Sequence, residues 1–191
     1  YEASVAKTVT VTAASGGNQD GGGGGGGSTP TSPPTVETNP DGSTTKTETA
    51  KDGTVTETTE HKDGTVQVVE TKPDGTVTEE VKTADGLEAK AVTAPDGKVE
   101  AEVTIPAAKA EAGTVALPIS SVPVTKDSEK APVVTVKSDK PVTVAVPVAE
   151  AAPGMVAVIV NADGTEEIVT KSVLVDGRLV VPLEAGATVK L

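Results

Sequence analysis

Cysteine, phenylalanine and tryptophan are absent from this chain, and tyrosine, histidine and methionine occur once each. Without cysteine there is no disulfide framework, no thiolate metal ligand and no thiol nucleophile. With a single tyrosine there is almost no platform on which bases or sugars stack. Hydrophobic residues make up 36% of the chain but aromatic ones only 1%, so the apolar mass is mostly valine and alanine and any core is thin. Positive charge is scarce too: 16 lysines and arginines stand against 28 acidic residues, a net charge of −12. That balance argues against nucleic acid and anionic membranes as partners and gives a self-repelling surface. No run of 18 apolar residues occurs, so no membrane insertion is predicted.

What is present is a period. Asp-Gly recurs every 11 residues at Asp41-Gly42, Asp52-Gly53, Asp63-Gly64, Asp74-Gly75, Asp85-Gly86 and Asp96-Gly97. Asp-Gly between Thr/Val-rich runs is a hairpin signal, because glycine takes positive φ without a steric cost. Loops this short cannot join parallel strands, so the period predicts an antiparallel meander. The turn register has two solutions. A two-residue Asp-Gly loop collects Val66, Val68, Val92 and Ala94 on the apolar face. A three-residue loop, a type I turn with glycine as the bulge residue, collects Val69, Leu87, Ala89 and Ala91 instead. Val55, Val77, Val81, Val99, Ala101, Val103 and Ile105 are common to both. The two patterns score alike; Pro40, Pro73 and Pro95, each before an Asp-Gly, favour the three-residue loop. Apolar residues also thicken along the array. None precedes Ala50 in the strand at 43–50, whereas four share a face at 98–105, so fraying is expected at the N-terminal end.

The whole is predicted to be all-β: the hairpin array leads into a small β-sandwich or barrel-like domain. Residues 1–14 alternate as a strand and are expected to be the terminal strand of a truncated, preceding immunoglobulin-like domain. Residues 15–34 hold seven successive glycines (Gly21 to Gly27) and then a Ser/Thr/Pro run, and are predicted to be a disordered linker. The array spans 35–104. Residues 105–191 carry aliphatic runs such as Val142–Val146 and Val156–Val160 between turn signals, which predicts a C-terminal antiparallel β domain. Met155 is expected to fill its core.

Few residues offer chemistry. The turn residues Asp41, Gly42, Asp52, Gly53, Asp63, Gly64, Asp74, Gly75, Asp85, Gly86, Asp96 and Gly97 are assigned structural roles. Each turn supplies a single aspartate, and alternate turns lie at opposite ends of a meander, so they do not make a calcium loop. A triad or histidine metal site would have to use His61, which falls on a predicted solvated strand with no nucleophile signature nearby. Glu79-Glu80 and Glu166-Glu167 are adjacent on strands, point to opposite faces, and are read as exposed charge. No catalytic, metal or cofactor residue is assigned, and no enzyme is expected.

The wording of residues 51–58 (Lys-Asp-Gly-Thr-Val-Thr-Glu-Thr) and 72–79 (Lys-Pro-Asp-Gly-Thr-Val-Thr-Glu) resembles a repeat of Gram-positive bacterial cell-surface proteins. So do residues 153–169 (Pro-Gly-Met-Val-Ala-Val-Ile-Val-Asn-Ala-Asp-Gly-Thr-Glu-Glu-Ile-Val) and 175–183 (Val-Asp-Gly-Arg-Leu-Val-Val-Pro-Leu). In the family that these stretches resemble, the region precedes S-layer homology domains, which hold the protein on cell-wall polymer. No such domain lies within these residues, so the resemblance implies attachment through domains outside this sequence. It implies an extracellular place on the bacterial cell wall and a structural stalk or spacer role. The alternative is an adhesion module, in which the C-terminal β domain binds a glycan or a host protein.

Overall fold

A computed structural model describes residues 9–10, 32–124, 130–149, 157–161, 163–169 and 173–190. Most of the predicted strand at 1–14, the linker up to residue 31, and Met155 lie outside these residues. The fold is all-β, with strands β1 (Val9–Thr10), β2 (Thr35–Thr38), β3 (Thr44–Thr49), β4 (Val55–Glu60), β5 (Val66–Thr71), β6 (Val77–Lys82), β7 (Glu88–Thr93) and β8 (Val99–Thr104). A single helical turn, α1 (Ala107–Ala110), follows. Then come β9 (Thr114–Ala116), β10 (Val133–Lys137), β11 (Val142–Pro147), β12 (Ala157–Val160), β13 (Glu166–Val169), β14 (Val173–Val175), β15 (Arg178–Leu183) and β16 (Thr188–Lys190).

The array folds as an antiparallel meander in which each strand pairs with the next from β2 to β8. All six connections are the same three-residue loop. The residue before the loop donates its N–H to the carbonyl of the residue after it at 2.8–2.9 Å, as Ala50 does to Thr54. The glycine N–H closes the type I turn at 2.8–3.0 Å, with φ between +80° and +89°. The structure therefore selects the register that the prolines favour. Lys51, Lys62 and Ala84 occupy the proline position in the other three loops. Glycine in the left-handed conformation is thus the shared determinant, and proline only pre-sets φ beside it.

That register places Val81, Leu87, Ala89, Ala91, Val99, Ala101, Val103 and Ile105 on one face, and all eight are buried. The other face of the same strands is charged, with Glu80–Lys90 at 2.7 Å, Lys82–Glu88 at 2.7 Å and Lys137–Glu102 at 2.7 Å across strands. In β2–β5 no strand residue is buried.

The sheet does not end with the array. β8 pairs in parallel with β10, and the order continues through β16, β12 and β13, giving twelve strands with β1 at the far edge. A second sheet of four strands, ordered β14-β15-β11-β9, covers part of the first, and β9 pairs with β11 in parallel. The short-turn argument for antiparallel pairing does not reach these two pairs, because residues 105–132 and 117–141 are long enough to cross over. Neither sheet closes into a barrel. Between the layers lies one aliphatic core, in which Val103, Val134, Val136 and Val189 of the large sheet join Val144, Val146 and Val181 of the small one. Past β9 the chain stays beside β11, with Leu117 N–H on the Ala145 carbonyl (3.1 Å) and Val122 N–H on that of Pro147 (2.9 Å). This stretch forms the edge of the second layer and carries Leu117, Ile119 and Val122 into the core that the array's apolar face shares.

Candidate functional site

The repeated turns form two rows. Asp41, Asp63 and Asp85 lie at one end of the meander, and Asp52, Asp74 and Asp96 at the other. In five of the six turns the aspartate Oδ1 accepts the N–H of the residue two further on, at 2.8–3.1 Å. The exception is Asp85, where the Leu87 N–H goes to Thr83 Oγ1 and the carboxylate meets Lys109 of α1 and the Thr83 hydroxyl. These donors hold the carboxyls of Asp52, Asp63 and Asp74 below the usual carboxylate value, with the backbone N–H first among the causes. For Asp41 the Ser43 hydroxyl comes first, and for Asp85 the Lys109 ammonium. The same pair of backbone hydrogen bonds recurs between Asn161 and Thr165 and between Gly164 and Asn161, and Asp163 is held low by Thr165.

Turns two strands apart touch. A Cβ on Gly53 would meet the Pro73 ring at 3.3 Å, and one on Gly86 would meet Pro106 at 3.4 Å. Neighbouring aspartates of a row are nonetheless about two strand spacings apart, roughly 10 Å. That is too far to share a cation whose oxygen ligands lie at about 2.4 Å. Among the described residues no three acidic or histidine side chains converge as a metal site.

The second feature corrects the reading of Glu79 as exposed charge. Glu79 is 8% exposed, on the apolar face of β6, and is the one charged side chain buried among the described residues. Gln67 Nε2 on β5 donates to its Oε1 at 2.6 Å, the Ser120 N–H donates to Oε2 at 2.9 Å, and the Ser120 hydroxyl donates to Oε1 at 3.1 Å. Three donors replace the water lost on burial, as a buried carboxylate requires. The carboxylate thereby ties two adjacent array strands to the edge of the second layer. Glu80 does point to the other face, where it pairs with Lys90. Glu166 and Glu167 are exposed, and Glu166 meets Lys190 at 2.8 Å.

His61 departs from its expected place on a strand and is the residue just before the Asp63 loop; its N–H donates to Thr65 and its carbonyl accepts from Gly64. Its side chain lines a shallow depression together with Gln67, Glu79 and Ser120. Serine, histidine and a carboxylate therefore share one surface, but not in the order of a nucleophilic relay. There the hydroxyl donates to the imidazole and the imidazole to the acid. Here the Ser120 hydroxyl donates directly to Glu79, and no side-chain hydrogen bond joins His61 to either among the described residues.

A cleft of about 630 Å³ lies between the two sheets. Val142, Ile159, Val169 and Leu183 line it together with the acidic side chains of Glu111, Glu167 and Glu184. Glu111 is paired with Lys140, which holds its carboxyl low.

These features define a class of architecture: an open β-sandwich whose larger sheet runs on into a single-layer repeat array. Comparison of the chain with protein-family models, curated proteins and solved structures returns no match.

Proposed function

We propose that the protein is a non-catalytic stalk or spacer module of a secreted bacterial surface protein attached to the cell wall. The observation that carries this reading is the projection of β2–β5. Four strands with no buried strand residue continue a sheet whose remainder is the wall of a sandwich. From β2 to β13 the sheet is roughly 48 Å across at the ordinary strand spacing. Its length comes from repetition of a short turn-and-strand unit rather than from a larger core, which suits reach. The acidic surface supports a place where self-association is disfavoured. Attachment to cell-wall polymer would come through domains outside this sequence.

Small-angle scattering tests the reading. An elongated particle is expected, and a compact globule with β2–β5 folded over the second sheet would overturn it. Antibody labelling of intact cells tests the surface location. The cleft between the sheets favours a second reading, adhesion of a glycan or host protein through residues 105–191. A glycan array without hits would leave only protein ligands for it.

A further inference from the structure

The order of strands in the large sheet determines how the molecule meets tension. The N-terminal side of the array enters at β2, whose outer neighbour is only the two-residue strand β1, whereas Lys190 lies on β16, flanked on both sides by β10 and β12. Eight strand spacings, roughly 38 Å, separate β2 from β16 across the sheet. A pull between them acts across the strands rather than along them. Each β2–β3 hydrogen bond is then loaded one after another, as in opening a zipper, and the same geometry is restored for β3 once β2 has left. Burial holds β2–β5 only weakly: their strand residues are half-buried or exposed, and among the described residues Ser43 is the one buried residue before Glu79. At β6 the situation changes. Glu79 is bonded to Ser120 of the second layer, and the buried core begins at Val81.

We propose that β2–β5 is an extensible element that peels by one 11-residue strand at a time under tension, and that the Glu79–Ser120 clasp on β6 is where peeling stops. Gln67 belongs to the releasing side of the clasp, because its bond to Glu79 is the last contact of β5 with that carboxylate. Each peeled strand frees about 35 Å of chain, and the whole element, Thr35–Thr71, about 125 Å. The sandwich stays folded throughout. This function rests on the spacer reading, since a spacer must carry load to be extended by it.

The full chain can be pulled through cysteines introduced as Ser32→Cys and Lys190→Cys, unambiguous handles because the chain has none of its own. The expected trace shows a low-force phase that frees about 125 Å, continuous or in steps of about 35 Å, followed by rupture of the rest at higher force. Glu79→Ala should lengthen the low-force phase by about one strand, 35 Å, whereas Ser120→Ala, which keeps the Ser120 N–H bond to Glu79, should leave its length unchanged and lower the force at which β6 leaves. In the unstressed protein, amide exchange should be faster in β2–β5 than in β6–β8 for every variant that folds. One cooperative rupture of residues 35–190 would overturn the proposal, as would uniform exchange across the array. A low-force phase of unchanged length in Glu79→Ala would overturn the assignment of the stop. A single rupture from a particle that scattering shows to be elongated would defeat the peeling and leave the spacer reading intact.

Discussion

Strands β2–β5 and β6–β8 share one 11-residue unit and one turn geometry, yet only the second set has a buried face. Their loops match in φ at glycine and in hydrogen-bond length. The difference lies in the side chains that alternate along one face. β3 offers Thr45, Thr47 and Thr49 where β8 offers Val99, Ala101 and Val103. Turn geometry is a local property and repeats wherever Asp-Gly does. Burial is a long-range one and begins where the sheet meets Leu117, Ile119 and Val122. A repeat can therefore be regular in backbone and graded in stability.

Substitutions in the shared apolar face should separate the two regions most strongly. Val103 is fully buried, and Val103→Ala should lower the unfolding free energy by about 2–3 kcal/mol through lost contacts and a residual cavity. Val55→Ala, in the same face of β4, should change it by less than about 0.5 kcal/mol. Chemical denaturation of both variants checks this, and equal losses would mean that β4 belongs to the same cooperative unit as β8. At the boundary, Glu79→Ala removes the acceptor of three donors and leaves Ser120 and Gln67 unsatisfied, for an expected loss of about 2 kcal/mol. Glu79→Gln keeps one acceptor oxygen and should lose less. Similar losses in the two variants would show that the carboxylate's second oxygen contributes nothing.

Glycine replacements sharpen the comparison from the opposite side, because turn strain is local. Gly97 has φ +87° and open space around its Cβ position, so Gly97→Ala isolates the backbone term, about 1 kcal/mol of global stability. Gly53→Ala carries the same φ penalty and meets Pro73. Its effect should appear as faster amide exchange in β3–β5 with little change in global unfolding. A global loss from Gly53→Ala as large as that from Gly97→Ala would break the distinction between the regions.

The turns and their register were legible in the residues themselves, because Asp-Gly imposes positive φ and Pro40, Pro73 and Pro95 mark the preceding position. The apolar gradient toward Ile105 was legible for the same reason, since strand alternation needs only the register. Glu79 was not. Its neighbours Thr78 and Glu80 read as solvated strand, and its burial is decided by Ser120, 41 positions away. Nor was the parallel union of β8 with β10, which depends on how residues 105–132 cross over and has no counterpart in local turn chemistry. His61 falls just outside its predicted strand because its N–H and carbonyl are taken by the turn bonds to Thr65 and Gly64.

The smallest expected effect concerns acid. The carboxyls of Asp52 and Asp74 titrate below their ordinary value of about 3.8 in the folded turns, because the N–H of Thr54 and Thr76 favours the ionised form. A group held low in the folded state stabilises it fully above the unfolded value. That contribution fades as pH falls below about 3.8 and through the folded value. Acid should therefore loosen the loops of β2–β5, which no buried core supports, before it loosens β6–β8. Exchange measured as pH is lowered through this range should show protection lost first around Thr54 and Thr76. Asp52→Asn keeps an oxygen acceptor for the Thr54 N–H but does not titrate, so the Thr54 loop should lose its acid dependence while the Thr76 loop keeps it. The same acid dependence in the variant would assign the effect to general charge on the chain. At Asp85 the leading partner is the Lys109 ammonium rather than a backbone N–H. Salt should weaken that loop's advantage while leaving the Thr54 loop nearly unchanged, since screening acts on the ion pair more than on a short hydrogen bond.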